Sequence, residues 1–146
     1  MPSKFEFTKH LFGLVQDNQN WLNESLILTN AESFTLIEIT NSLRGKLLYR
    51  ATKDGFGARE FHSRCDGKRN TITIIMNDQN FVFGGYGSMS WNSSGNWITD
   101  PNAFIFSLRR NGVSCNHKLM NKIPEYALFG HTDFGKITFF EFTLNI

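Results

Sequence analysis

The alternation of hydrophobic and polar residues between Leu47 and Trp91 predicts a helix packed over a β-hairpin. LLYRA is a short apolar segment that favours a strand, and Asp54-Gly55 after it is typical of a turn. A helical period follows, because the residues of one face recur at i, i+3, i+4 and i+7. They are Ala58, Phe61, His62 and Cys65. Asp66-Gly67 ends this helix, with Gly67 as a left-handed C-cap. TITIIM and FVFGGY then predict two strands joined by the turn NDQN.

A second helix is predicted ahead of this unit, between Ser25 and Leu43, after the short apolar segment SLIL. Asn30 or Ser33 serves as its N-cap, and Glu32 lies in the first turn, where the helix dipole favours a negative charge. Its apolar face is expected to consist of Phe34, Ile37 and Thr40, flanked by Leu36 and Leu43.

The pattern beyond the hairpin is one of strands. Trp91 to Asp100 is rich in Asn, Ser and Gly, which predicts an exposed loop anchored by its two tryptophans. The unbroken apolar run AFIFSL indicates a strand buried on both faces, closed by an Asn111-Gly112 turn. VSCNHKLM and EYALFG predict weaker strands, and ITFFEFTLNI a half-buried terminal strand. Two helices early and six to eight strands late suit two packed antiparallel sheets flanked by helices, and argue against a parallel sheet.

Composition is consistent with one compact domain. The 146 residues include fifteen Phe, three Trp and three Tyr, rings that we expect to fill a core between layers. A net charge of +2 is too small to indicate a nucleic-acid or membrane partner. Two cysteines are too few for a disulfide framework, and no apolar run approaches the ~20 residues of a membrane span. We therefore expect a cytoplasmic protein with reduced thiols and no membrane insertion.

Four motifs carry a family resemblance. LLYRATKDGF, AREFHSRCDGKRNTITII, FVFGGYGSMSW and DPNAFIFSL, in this order and spacing, resemble the TLDc domain, the module of eukaryotic oxidation-resistance proteins. The likeness runs from Ser25 to Arg110 and more weakly to the C-terminus, which predicts a domain at 24–146 with a lead-in or linker at 1–23. The resemblance implies an α+β, mainly β fold: a two-layer antiparallel β-sandwich flanked by two main helices. FGHTDFG looks like a degenerate form of a glycine-rich family motif, and a long polar loop is missing after it.

The resemblance also implies a function. Proteins of this family are linked to protection from oxidative damage and to binding of the vacuolar-type proton-pumping ATPase, and no enzymatic activity is firmly established for them. The expectation is a non-enzymatic protein-interaction domain with no catalytic residues, no cofactor and no metal.

A basic run offers candidate residues for partner binding. The run also contains Arg44 and Lys46, and the candidates within it are Arg50, Lys53, Arg59, Arg64, Lys68 and Arg69. They are opposed by Asp54, Glu60 and Asp66, which leaves a basic surface suited to an acidic protein or to solvent alone. Nucleic acid is not expected, because the aromatic residues here alternate into the core and form no exposed stacking platform.

A thiol enzyme is the alternative. His62 and Cys65 lie one helical turn apart, so an imidazole could activate the thiol as a nucleophile or peroxide target, making the protein a small antioxidant enzyme. The competing interpretation places both residues on the buried stripe of the helix, with Cys65 as an inert small hydrophobe.

Three other arrangements can be drawn from the sequence and are less specific. His62 and Cys65 with Cys115 and His117 would supply four zinc-type ligands. Ser88 or Ser90 with His131 and Asp133 has the composition of a hydrolytic triad but lacks a G-x-S-x-G elbow. The GGYG glycines lack the Lys-Ser/Thr of a phosphate loop, and glycine within a strand indicates a close backbone approach.

Overall fold

The structure of the chain is a computed structural model that describes residues 25–42, 45–131 and 140–145. Its helices are α1 (Asn30–Thr40), α2 (Ala51–Asp54) and α3 (Ala58–Cys65), with a 3₁₀ turn at Pro124–Tyr126. Its strands are β1 (Lys46–Arg50), β2 (Thr71–Met76), β3 (Val82–Gly87), β4 (Trp97–Ile98), β5 (Phe104–Arg110), β6 (Val113–Met120), β7 (Leu128–Phe129) and β8 (Phe140–Asn145). The predicted lead-in at 1–23 and the flanking Leu43 lie outside the described residues.

The described strands form a large and a small antiparallel sheet. The large sheet has six strands in the order β1-β8-β2-β3-β5-β6, and β4 pairs with β7 in the small one. The predicted hairpin is confirmed: β2 pairs with β3 from Thr71↔Gly87 to Met76↔Val82. In its turn, Asn77 Oδ1 accepts hydrogen bonds from the backbone N–H groups of Gln79 and Phe81. The predicted α+β, mainly β class is confirmed, and the second layer is much the smaller of the two.

Helix α1 begins one residue earlier than predicted. Thr29, and neither Asn30 nor Ser33, is the N-cap: its Oγ1 accepts from Glu32 N at 3.3 Å, and Glu32 Oε2 accepts from Thr29 N at 2.8 Å. This is a capping box, in which two unpaired backbone donors are satisfied reciprocally. The buried face follows this start, and consists of Glu32, Ser33, Leu36 and Ile37.

The main core lies between α1 and one face of the large sheet. Its buried residues are Leu36, Ile37, Ile72, Ile74, Val82, Phe104, Phe106 and Leu108. Gly84 is required here, because a Cβ atom at this position would collide with the carbonyl oxygen of Thr73 and with the ring of Phe106. The GGYG segment is therefore strand backbone at a close approach, as the sequence indicates.

Helix α3 covers a second, aromatic core. Phe61 meets the ring of Tyr49 edge-on at 5.5 Å between centroids and that of Trp91 at 5.4 Å. The Tyr49 hydroxyl donates to Gly55 O at 2.6 Å, and Trp91 Nε1 donates to Thr71 Oγ1 at 3.0 Å. The helix ends at Cys65, and Gly67 adopts the positive φ of 75° that the sequence predicts for it. Phe61 thus anchors α3 against Tyr49 of β1 and against Trp91, whose own hydrogen bond ties it to β2.

Two predictions about the later strands are wrong. AFIFSL is not buried on both faces, because Ile105 is 61% exposed while its neighbours Phe104 and Phe106 are buried. The predicted strand EYALFG is divided between the 3₁₀ turn and the two-residue β7. Of the two loop tryptophans, Trp91 anchors as predicted, whereas Trp97 is 53% exposed and packs on Tyr126 and Phe129 at the surface. The terminal strand is present as β8.

No helix in the described part of the chain combines the length and apolarity needed to cross a bilayer.

Candidate functional site

The predicted basic residues lie on α2, α3 and the loop that follows α3. Arg50 ends β1 and is half-buried, whereas the others are exposed. The exposed members are Lys53, Arg59, Arg64, Lys68 and Arg69. Because α3 follows α2 after three residues, this part of the surface, which we call the basic face, is built from one short stretch of chain.

Internal contacts engage two of the three acidic residues of the basic face. Asp54 Oδ1 lies 3.2 Å from Arg64 Nη2, and its Oδ2 accepts from Arg50 N at 2.9 Å. Asp66 Oδ1 lies 2.7 Å from His62 Nδ1, and its Oδ2 accepts from the Ser93 hydroxyl at 2.6 Å. The carboxylates thus serve the local structure, while Lys53, Arg59 and Lys68 present their charges to solvent.

His62 links α3 to His131, two residues after the end of β7. Its Nδ1 faces Asp66 Oδ1 and its Nε2 faces the carbonyl oxygen of His131 at 2.9 Å. Both neighbouring oxygens are hydrogen-bond acceptors, so both contacts are donated at once when the imidazole carries two protons. With both ring nitrogens turned toward these oxygens, the imidazole is oriented away from a role as thiol base.

Cys65 lies in the aromatic core with no exposed surface, beside Tyr49, Ala51 and Phe61. A nucleophilic thiol needs access to its substrate and surroundings that favour the thiolate, and burial among apolar groups supplies neither. The geometry therefore favours the interpretation of Cys65 as a packing residue over a thiol enzyme built on Cys65 and His62.

We predict that Cys115 is alkylated in the folded protein and that Cys65 is protected. Cys115 is half-buried on β6, with its Sγ 3.2 Å from Ser107 Oγ, whereas Cys65 reacts after α3 has opened. Iodoacetamide labelling near pH ~8.5, read by peptide mass spectrometry, should label Cys65 at least ~100-fold more slowly. In concentrated urea both thiols should react alike. Equal rates in the folded protein would restore the thiol-enzyme hypothesis.

The other arrangements drawn from the sequence are not assembled by the described residues. His62 and Cys65 lie on α3 and Cys115 and His117 on the edge strand β6, and no group of three or more His, Cys, Asp or Glu in the described chain could hold a metal ion. Ser88 Oγ donates its hydrogen bond to the Asp100 carboxylate at 2.6 Å. The serine of a hydrolytic triad would instead donate to an imidazole. Asp133 of the supposed triad lies outside the described residues.

Sequence reasoning missed a buried carboxylate that organises the loop after β3. Asp100 has no exposed surface, and its oxygens accept hydrogen bonds from four donors: Ser88 N, Ser88 Oγ, Met89 N and Asn102 N. Burial alone would raise the pKa of Asp100, but these donors outweigh it and hold the pKa below its usual value. Asp100-Pro101 is a turn signal in the sequence, and nothing near it in the chain indicates the partners twelve residues away.

A second buried pair joins α1 to β5. Arg109 Nε donates to Glu32 Oε1 and Arg109 Nη2 to Glu32 Oε2, each at 2.7 Å, and Nη2 also donates to Ile27 O at 3.0 Å. Burial would raise the pKa of Glu32, but the guanidinium and the Thr29 backbone outweigh it and hold the pKa below its usual value. The two residues are 77 positions apart, so no local pattern could have paired them.

The outer face of the large sheet, opposite α1, carries a groove that the sequence did not predict. Its volume is about 750 Å³. The floor consists of Thr73, Ile75, Gly85, Ile105 and Leu119, and we call this the outer groove. The apolar run AFIFSL was the available sequence signal. Such a run does not reveal which of its side chains remain uncovered, and here it is Ile105.

Comparison with known families adds one finding. The model of the family described as the TLDc domain matches residues 16–139, which is most of the chain. No curated protein matches the chain in a search of such sequences.

Proposed function

Because the chain belongs to the TLDc domain family, we propose that it works without catalysis, as a protein-interaction domain whose basic face binds an acidic surface of a partner protein. The partner we propose is the vacuolar-type proton-pumping ATPase in the cytoplasm, and the biological effect is resistance to oxidative stress. No cofactor, metal or nucleic acid takes part in this proposal.

The observation that carries the proposal is the state of the charges on the basic face. Asp54 and Asp66 are engaged by neighbouring groups of the same surface, whereas Arg59 and Lys68 are exposed on and just after a well-anchored helix. Exposed charges of one sign on a rigid element accelerate association with a surface of opposite sign and add modest affinity. Because the helix is already held in place before binding, less conformational entropy is lost when the partner binds.

We predict that reversing two of these charges weakens partner binding. Arg59→Glu with Lys68→Glu should reduce the affinity for the purified cytoplasmic sector of the proton pump by about tenfold, mainly through slower association. The measurement is biolayer interferometry at salt concentrations from about 0.05 M to about 0.3 M, and binding of the unaltered domain should weaken as salt rises.

A matched variant separates a local effect from one of net charge. Lys46→Glu with Arg110→Glu makes the same change in charge at two exposed positions outside the basic face. It should bind within about twofold of the unaltered domain if the basic face is the contact. Equal weakening by both double variants, or binding indifferent to salt, would contradict the proposed surface.

The identity of the partner is tested separately. Purified pump sector that shows no saturable binding to the unaltered domain at any salt concentration would contradict the ATPase proposal and leave the basic face open to another acidic protein. For the oxidative role, cells lacking the protein should survive hydrogen peroxide less well, and the Arg59→Glu/Lys68→Glu variant should fail to restore survival where Lys46→Glu/Arg110→Glu succeeds.

A further inference from the structure

The outer groove runs across the strands of the large sheet from an exposed end to a buried one. Along one row of the sheet, Thr73 of β2 pairs with Gly85 of β3, Gly85 pairs with Ile105 of β5, and Ile105 pairs with Leu119 of β6. Lys122 follows β6 and is exposed, so it marks the mouth. At the other end Phe61 and Thr71 are buried, and they close the groove. Three strand spacings separate β2 from β6, which makes the groove about 14 Å long.

Glycine keeps the middle of this path open. At Gly85 an added Cβ atom would meet Phe104 O at 3.5 Å and Ile105 Cγ2 at 3.8 Å, which is ordinary van der Waals contact. No described residue fills the space above Gly85, and the backbone of the sheet does not require glycine there. At Gly87 the side chain of Leu128 already lies over the strand, 3.0 Å from the position of a Cβ atom, and forms part of the roof.

The chemistry of the lining is asymmetric. Apolar side chains dominate, with Ile75, Leu119 and Phe129 among them. Of the described residues that line the groove, Lys122 is the sole Lys, Arg, Asp or Glu, and His62 is held by Asp66 and the His131 carbonyl. A long apolar channel with one cation at its mouth matches a long apolar molecule that ends in one anion.

We propose that the outer groove binds a free fatty acid of about twelve carbons, with the carboxylate beside Lys122 and the alkyl chain lying over Gly85 toward Phe61. An extended chain advances about 1.25 Å per carbon, given C–C bonds of ~1.5 Å, so about twelve carbons span the groove. The volume lies within the range of about 300–1,000 Å³ typical of small-molecule sites. No cation of the basic face lines the outer groove, and this proposal does not rest on the proposed protein partner.

The test is isothermal titration calorimetry of the 146-residue chain with saturated fatty acids of eight to fourteen carbons, each below its micellar concentration. Binding should be saturable at one molecule per chain, and the affinity should rise about fourfold per methylene up to about twelve carbons and then level off. Dodecanamide, which has the same chain and no charge, should bind about threefold to fivefold more weakly than laurate at low salt.

Substitutions locate the ligand. Gly85→Val fills the space above β3 with a residue that favours strands, and should weaken laurate binding at least tenfold. Lys122→Glu should weaken laurate about fivefold and leave dodecanamide unchanged. Should Gly85→Val fail to fold, Ile105→Asp provides the same test at an exposed floor residue. Val113→Asp is the matched control, because Val113 is 68% exposed and is absent from the groove lining.

Several results would overturn the proposal. They are the absence of saturable laurate binding, affinity independent of chain length, and equal weakening by Ile105→Asp and Val113→Asp. Sedimentation equilibrium adds a further one: a dimer of the unaltered chain that Ile105→Asp dissociates would assign the groove to a second copy of the chain. Laurate binding should persist in the Arg59→Glu/Lys68→Glu variant whether or not that variant loses its protein partner.

Discussion

Asp100→Ala is expected to lower the free energy of unfolding by about 4 kcal/mol. The substitution removes an acceptor that serves four donors, of which the Ser88 N–H and hydroxyl are buried and the Met89 and Asn102 N–H groups are partly buried. Each such unsatisfied group costs about 1–3 kcal/mol, and the costs are not fully additive. Urea unfolding followed by tryptophan fluorescence gives the measurement. Asp78→Ala, at an exposed turn position, is the matched control and should change stability by less than about 0.5 kcal/mol.

The lowered pKa of Asp100 predicts that the folded protein loses stability in acid. Because the pKa of Asp100 in the folded protein lies below the unfolded value of about 4, its contribution is fully present above that value and is lost as pH falls through the folded pKa. Asp100→Asn should therefore flatten the fall in stability below about pH 4 relative to the unaltered protein. A loss of stability under 1 kcal/mol in Asp100→Ala would contradict the structural role assigned to this network.

Arg109→Ala is the second large effect, and we expect a loss of about 3–5 kcal/mol. The guanidinium and the Glu32 carboxylate are 12% and 4% exposed, so removal of Arg109 leaves a buried charge without its counterion. The loss also reaches α1, because Glu32 forms half of the capping box with Thr29. Thermal unfolding followed by circular dichroism measures it, and Arg110→Ala at the exposed neighbour provides the control.

A double-mutant cycle separates the pair from its surroundings. Glu32→Gln alone and Arg109→Met alone should each destabilise, because each leaves the other charge unpaired. The double variant leaves no unpaired charge, so it should cost less than the sum of the single changes. Strict additivity would show that Arg109 stabilises through its contacts with Ile27 or Asn80 instead.

Local features of this chain could be predicted from the sequence to the extent that their causes are local. The hairpin of β2 and β3 follows from two apolar runs around a turn whose Asn77 bonds its own backbone, and α3 follows from a 3.6-residue period. The burial of Cys65 follows from the same helical period, so the sequence alone favours the interpretation of Cys65 as a packing residue. The start of α1 was missed by one residue, because Thr29, Asn30 and Ser33 are all suitable caps and the Glu32 side chain decides among them.

The sequence by itself determined most of the elements, the α+β class, the family and the residues of the basic run, because periodicity, turn residues and motifs are properties of neighbours along the chain. Tertiary structure alone decided that Asp100 meets Ser88, that Arg109 meets Glu32, and that Ile105 stays uncovered beside Gly85. These outcomes depend on which distant segments the sheet order brings together, β5 beside β3 and α1 over β5. Hydrogen bonds and burial depend on distances in space, and residues far apart in the chain come into contact only when the chain folds.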